Sequence, residues 1–208
     1  MNITKHISIT NGEVKVNGEL VFSNKEADSP NAFFKSIYKE NKIKYPKYFK
    51  MDRLSKLGFI AAEVLLKGEE LGNKYASNEI AVVISNLSST IDVDTKYYKT
   101  VTDSDDIPSP ALFVYTLPNI MIGEICIRNE FRGEIGFLVN KQFNAEQIYN
   151  YTKNIFGKNK KTKACIIGWV ELDKDEKYNA NLFLVELLEN TEKSYIFDVS
   201  NLLKKYIK

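Results

Sequence analysis

The sequence holds one histidine, His6, and two cysteines, Cys126 and Cys165. A single histidine close to the start argues against Ser-His and Cys-His hydrolysis, which need an imidazole beside the nucleophile. Two cysteines in apolar surroundings make no disulfide framework and read as small buried hydrophobes, so a reducing cytoplasm is the expected compartment. No Gly-x-Ser-x-Gly elbow, P-loop, dinucleotide glycine fingerprint or zinc-ligand spacing occurs, and neither a cofactor nor a metal is expected. No apolar run approaches the about 20 residues that cross a bilayer. The opening MNITKHISIT has no long apolar stretch of the secretory kind. A membrane is therefore not an expected partner, and a net charge of only +2 does not favour nucleic acid.

What is present is a globular balance, 44% apolar against 27% charged over 208 residues, long enough to bury a core. Twelve tyrosines and twelve phenylalanines are spread along the chain and read as core and interface filler. Residues 6–22 alternate polar and apolar around Asn11-Gly12 and Asn17-Gly18, which predicts short antiparallel strands. Ser29-Pro30-Asn31 predicts the start of a helix through Phe33, Phe34, Ile37 and Tyr38, broken at Pro46. Residues 51–71 place Met51, Leu54, Leu57, Gly58, Ala61, Ala62 and Leu65 at helical spacing. Their middle, 59–62, is apolar nearly all round, so this helix is covered on most sides and its small residues admit a close neighbour.

The unbroken β-branched run 80–84 predicts a parallel strand buried on both faces. Residues 85–106 are polar, with a helical patch around Lys96, Tyr97 and Tyr98. The aspartates of that region, Asp92, Asp94, Asp103, Asp105 and Asp106, fit no calcium-loop spacing and read as a solvated loop. A helix over 111–128 must be kinked by Pro118 or hold it in its first turn. Strand 135–139, a helix over 145–156 ended by Gly157, a lysine loop over 158–163 and paired strands over 164–170 and 182–188 follow. Residues 199–207 form a short basic helix or an extended tail. Alternating strands and helices predict one α/β domain over 1–208, a mostly parallel mixed sheet flanked by helices.

Four features, in order over residues 28–171, resemble the N-terminal half of the β-ketoacyl-ACP synthases, which have a thiolase-like fold. They are Lys50-Met51-Asp52-Arg53-Leu54-Ser55-Lys56-Leu57 at the entry to a long buried helix, strand 80–84, and the stretch from Ser109-Pro110-Ala111 through Thr116-Leu117-Pro118-Asn119 to Gly123-Glu124-Ile125. The fourth is strand-helix-strand 135–170, closing on Gly168-Trp169-Val170-Glu171. The third is the specific one. The short synthase-like proteins related to chain-length factors in polyene pigment pathways are the most similar subgroup.

The resemblance implies half of a ketosynthase fold whose chemistry is missing. The family's nucleophilic cysteine sits at a helix N-terminus that favours the thiolate. The position falls here at Lys141, Gln142 or Phe143, none of which forms a thioester. His6 lies where no catalytic histidine of the family does, and the chain stops where the second half is expected to begin. Chain-length factors carry Gln at the vacant position, which makes Gln142 a candidate for the mouth of an apolar pocket, with Thr116 and Asn119 as further candidate pocket residues. Lys158, Lys160, Lys161 and Lys163 are candidate contacts for an acidic acyl carrier protein. Strand 135–139 is the candidate dimer seam. The implied role is a non-catalytic accessory subunit in fatty-acid or polyketide-type biosynthesis, partnered by a ketosynthase, a carrier protein or both. Two other roles stay open: a half-synthase completed in trans by a partner chain, and a stand-alone acyl or small-molecule binding protein. The apolar face of such a half must be covered by a second copy, by a catalytic partner, or by the strands of 164–188 folding back.

Overall fold

The computed structural model describes residues 1–102, 107–158, 161–188 and 194–207. At both Asn-Gly pairs the backbone turns with positive φ, 50° and 73° at Asn11 and Gly12, 54° and 89° at Asn17 and Gly18. That is the geometry a two-residue hairpin turn demands. The turns join β1 (Asn2–Thr10), β2 (Glu13–Val16) and β3 (Glu19–Ser23) into an antiparallel meander. Ser29 caps α1 (Pro30–Glu40), its hydroxyl accepting from the Ala32 N–H at 3.2 Å, and Pro46 opens a short 3-10 turn (Pro46–Lys50).

Asp52 starts α2 (Arg53–Leu66), its carboxylate accepting from the N–H groups of Leu54 and Ser55 at 2.9 and 3.2 Å. Ten of the fourteen residues of α2 are buried, so the helix is covered on most sides as its sequence requires. A short α3 (Leu71–Lys74) leads to β4 (Ile80–Asn86), buried at every position. The polar stretch that follows is more ordered than its composition predicts: α4 spans Ile91–Thr102.

The helix expected over 111–128 is two helices. Ser109 caps α5 (Pro110–Tyr115), and Pro118 takes the cap position of α6 (Asn119–Asn129). A proline cannot donate the bond an unbroken helix needs there, so the chain restarts. β5 (Ile135–Val139) and α7 (Ala145–Lys158) come next; Gly157 lies inside α7 and does not end it. β6 (Ala164–Leu172), β7 (Tyr178–Glu186), β8 (Tyr195–Ile196) and α8 (Val199–Lys205) complete the described chain.

The strands form one sheet in the order β3-β2-β1-β7-β6-β4-β5, with β8 pairing β1. The α/β architecture with helices on both faces is as expected, but among the described residues the parallel pairings are β4–β5 and β4–β6 alone. β1–β2, β2–β3, β1–β7, β1–β8 and β6–β7 are antiparallel. The two-residue turns account for the N-terminal part of that difference, since a parallel pair needs a crossover. Alternate residues of β4 point to two cores. Val82 and Ile84 pack with α1, α2 and α6, whereas Ala81 and Val83 pack with α7 and α8. Strands 164–172 and 178–186 lie in the sheet and do not fold back over it; α7 and α8 cover the second face.

Three glycines, Gly58, Gly133 and Gly168, permit close approaches; at Gly133 a Cβ would lie 2.2 Å from the Ile80 carbonyl oxygen. A Cβ on Gly58 would lie 2.3 Å from Met121 Sδ, so the Met121 side chain of α6 packs directly on the backbone of α2. Gly168 in β6 has φ +153°, and a Cβ there would lie 2.0 Å from the Asn181 carbonyl oxygen of β7.

Candidate functional site

The parallel strands β5, β4 and β6 end on the same side of the sheet, the side where ligands bind in open α/β sheets. Beyond β5 the chain runs Asn140-Lys141-Gln142-Phe143-Asn144 into α7. The Asn144 side-chain oxygen accepts from the Gln147 N–H at 3.0 Å and its carbonyl from the Ile148 N–H at 3.0 Å, which fixes where α7 begins. Lys141 and Gln142 are exposed, and Phe143 is buried. Gln142 lines the site, but the side chain that enters the protein is the phenyl ring beside it.

Two adjoining grooves open here. One, of about 520 Å³, lies between the start of α7 and Val199 and Leu203 of α8. The other, of about 400 Å³, is lined by Phe143, Trp169, Glu171, Asn179, Leu203 and Tyr206, with Lys141 and Gln142 also on it. The C-terminal segment forms one wall of the second groove. It is held there by Asn181, whose Oδ1 accepts from the Ile207 N–H at 3.0 Å and whose Nδ2 donates to the Ile207 carbonyl at 2.8 Å. Asn179 Nδ2 donates to that same carbonyl at 2.8 Å. Asn181 is 1% exposed, so this buried amide is devoted largely to one residue of the tail.

Glu171, the last-but-one residue of β6, turns one carboxylate oxygen, Oε2, to the backbone N–H groups of Leu87 and Ser88 at 2.6 and 3.3 Å. Its other oxygen, Oε1, is buried with no hydrogen-bond partner. Burial, and after it the Glu171 charge, pushes the Tyr206 phenol up to about 12. The Asn140 Nδ2 is a second buried polar atom without a partner at this end of the sheet. Sequence reasoning passed over Trp169, Asn179 and Tyr206. They come from strands and a tail far apart in the chain; Trp169 falls in the Gly168–Glu171 stretch, but only as part of the family resemblance, and no local motif marks Asn179 or Tyr206.

The other candidates lie elsewhere. Thr116 ends α5, where its hydroxyl donates to the Phe113 carbonyl at 2.7 Å and its own carbonyl accepts from Thr90 Oγ1 at 3.0 Å. Asn119 is exposed at the start of α6. Neither lines a groove with Gln142: α6 packs on one face of the sheet and α7 on the other. Of the lysine loop, Lys158 ends α7 and Lys161 and Lys163 precede β6, while Lys160 lies outside the described residues. This loop sits at the opposite end of β6 from Gln142, a strand length of roughly 25 Å away.

Asp92 does not belong to a solvated loop. It is buried against Arg53, which also reaches Glu176, and pairs with Lys96 at 2.9 Å, tying α4 to α2. Asp103, Asp105 and Asp106 lie outside the described residues, and among the described residues no group of three ligating side chains gathers for a metal. Burial raises the Cys126 thiol to about 11 and pushes Cys165 higher still, which suits inert core residues and not nucleophiles. Among the described residues no helix is long and apolar enough to cross a membrane.

No family model matches the sequence. No curated protein matches it either. Solved structures do. A chain of the ketosynthase ApeO in complex with its chain length factor ApeC from Xenorhabdus doucetiae matches at TM-score 0.56 and 12% identity, over 88% of this chain and 77% of that one. The ishigamide ketosynthase/chain length factor matches at TM-score 0.60 and 16% identity, over 92% of this chain and 63% of that one. A type II polyketide acyl-carrier protein in complex with its ketosynthase, AntDE:AntF, matches at TM-score 0.57 and 12% identity, over 89% of this chain and 62% of that one. Over most of its length, therefore, the chain has the thiolase-like fold of ketosynthases and chain length factors.

Proposed function

We propose that this chain is a synthase-like accessory subunit of polyketide- or fatty-acid-type biosynthesis, one that positions a partner and does not itself condense acyl chains. The observation that carries the reading is Phe143. At the turn where a condensing enzyme of this fold presents a thiol, the chain offers exposed Lys141 and Gln142 and a buried phenyl ring. None of these three side chains can carry an acyl chain as a thioester, and His6 is buried in β1 with Nδ1 unpartnered.

The expected partner is a ketosynthase, an acyl carrier protein, or both. β5 is the outer strand at its end of the sheet, with Ile135 and Val139 exposed. An outer strand with exposed apolar side chains is a ready template for pairing with another chain. Tyr98, Val101, Phe113, Val114 and Leu117 of the α4–α5 region are exposed as well. The α4–α5 region and β5 are together the proposed seam for a partner of the same fold. A carrier protein meeting Lys158, Lys161 and Lys163 would dock at the far end of the sheet from Gln142, so that contact suits scaffolding better than delivery.

Isolation of the tagged chain from its own cells, followed by intact-complex mass spectrometry, tests the reading. A ketosynthase or carrier protein in fixed ratio is the expected result. A homodimer with neither partner would sink it, and thioester formation by this chain alone would sink the non-catalytic part.

A further inference from the structure

We propose that residues 205–207 form a strap that lifts from the sheet when His6 takes up a proton. The device is independent of the accessory role. His6 pairs with Phe183 across β1 and β7, on the face that α7 and α8 cover. It is 3% exposed and its Nδ1 has no hydrogen-bond partner, so a charged imidazole would be left buried and incompletely paired there. From β7 it meets the Phe183 ring, 6.1 Å away and 19° from parallel. From the β2–β3 turn Asn17 accepts only its backbone N–H, at 2.9 Å. From α8 comes Lys205, whose like charge is, among the described residues, the one that reaches it. The rings continue from there to the strap: Phe183 stacks on Phe143 at 6.3 Å, and Phe143 on Tyr206 at 4.4 Å.

The other anchors of the strap are hydrogen bonds, from Asn179 and Asn181 to Ile207 and from the Tyr206 N–H to the Leu202 carbonyl at 3.0 Å. Water takes over such bonds at small net cost. Leu202 is fully buried and keeps the rest of α8 in place, so residues 205–207 can open locally while the sheet stays intact. Opening takes the Tyr206 ring off Phe143, removes a wall of the groove of about 400 Å³ and moves Lys205 away from the imidazole. Burial, then Lys205, holds the imidazole of the closed form at about 4 against an ordinary 6.5. The open form therefore binds the proton more tightly, and falling pH favours it.

Amide hydrogen exchange of the intact protein at pH 7 and pH 5, expressed as protection relative to the free-peptide rate at each pH, tests the coupling. The Tyr206 and Ile207 amides, both hydrogen-bonded in the closed strap, are the reporters. Their protection is expected to fall about 20-fold between the two pH values and to stay below that of β4 and β6 throughout. His6 is the only histidine in the chain, and carboxylates of ordinary affinity are still ionised at pH 5, so the interval isolates its proton. In His6→Leu the same protection is expected to change less than about two-fold. Equal protection of the two amides at pH 7 and pH 5 in the unmodified protein would overturn the proposal. So would an equal fall in His6→Leu, or protection as high as that of β4 and β6, which would mean that the strap leaves only when the whole sheet unfolds. The unmodified protein decides the question even if His6→Leu does not fold.

Discussion

The rings of Phe143 and Tyr206 stack 4.4 Å apart with 7° between their planes, so the turn before α7 and the end of the chain are packed as one unit. Tyr206 belongs to the segment that Asn181 grips through Ile207. Loss of either contact is expected to free the tail before it unfolds the sheet. Tyr206→Ala removes the stack and should lower stability by about 1–3 kcal/mol, with Tyr206→Phe nearly neutral. Asn181→Ala leaves the Ile207 N–H without its partner and should cost about 1–3 kcal/mol. Hydrogen exchange over 199–207 is the check: both variants should exchange faster there, with β4 and β6 still protected. Unchanged exchange in the tail would refute the clamp.

The close contacts at Gly58 and Gly168 make a contrasting prediction. At Gly58 a Cβ meets the Met121 side chain, which is flexible at its end, though its Cγ lies only 2.6 Å away. At Gly168 the obstacle is backbone, the Asn181 carbonyl at 2.0 Å, and φ is +153°. Gly58→Ala should cost about 1–3 kcal/mol by overpacking, and Met121→Ala should partly relieve it in the double variant. Gly168→Ala should cost more, because β6 and β7 must part to admit a methyl group. Urea melts of the three variants test the order, and a reversal of it would contradict the packing described.

The hairpins, the capped α1, the largely buried α2 and the buried β4 were legible because each rests on local chemistry. Asn-Gly sets a turn, Ser29 sets a cap, residues 51–65 repeat at helical spacing, and Ile80 to Ile84 read as interior on both faces; the cap at Asp52 came from the structure. The parallel bias was misjudged because β1 and β7 pair across the whole chain length, a contact that alternation of elements does not encode. The site was half legible. Its turn, 140–144, follows from the strand-to-helix boundary and the family resemblance, but its wall comes from Trp169, Asn179 and Tyr206, brought in by pairing and by the tail. Thr116 and Asn119 misled for the opposite reason: the resemblance placed them near a pocket, and the break at Pro118 leaves Asn119 in solvent.

Arg53 and Asp92 link α2 to α4, the helix that sequence composition left as a mostly polar stretch. Burial works to raise the Asp92 carboxyl, yet hydrogen bonds from Arg53 and Lys96 outweigh it and hold it below its ordinary value. Asp92→Asn keeps the shape and removes the charge, and is expected to cost about 1–3 kcal/mol. Truncating Lys96, which is exposed, should cost about 0–0.5 kcal/mol. Equal effects from the two would show that Asp92 is held by its solvent-side partner and not by Arg53.

His6 supplies the acid response. It is 3% exposed, stacks against Phe183 at 6.1 Å, and has its Nδ1 without a partner. Burial, then the charge of Lys205, lowers it from 6.5 to about 4. The folded protein therefore keeps this imidazole neutral where the unfolded chain binds a proton. The stabilisation is complete above pH 6.5 and is lost as pH falls from 6.5 to about 4. Across that window His6 adds at most about 1.4 kcal/mol per pH unit to the slope of unfolding free energy. Replacing it with leucine should flatten the slope there while leaving the acid loss below pH 4, which carboxylates such as Asp92 carry. Urea denaturation at half-unit steps from pH 3.5 to 7.5 in both proteins makes the comparison, and parallel curves between pH 4 and 6.5 would show that His6 is not the titrating group.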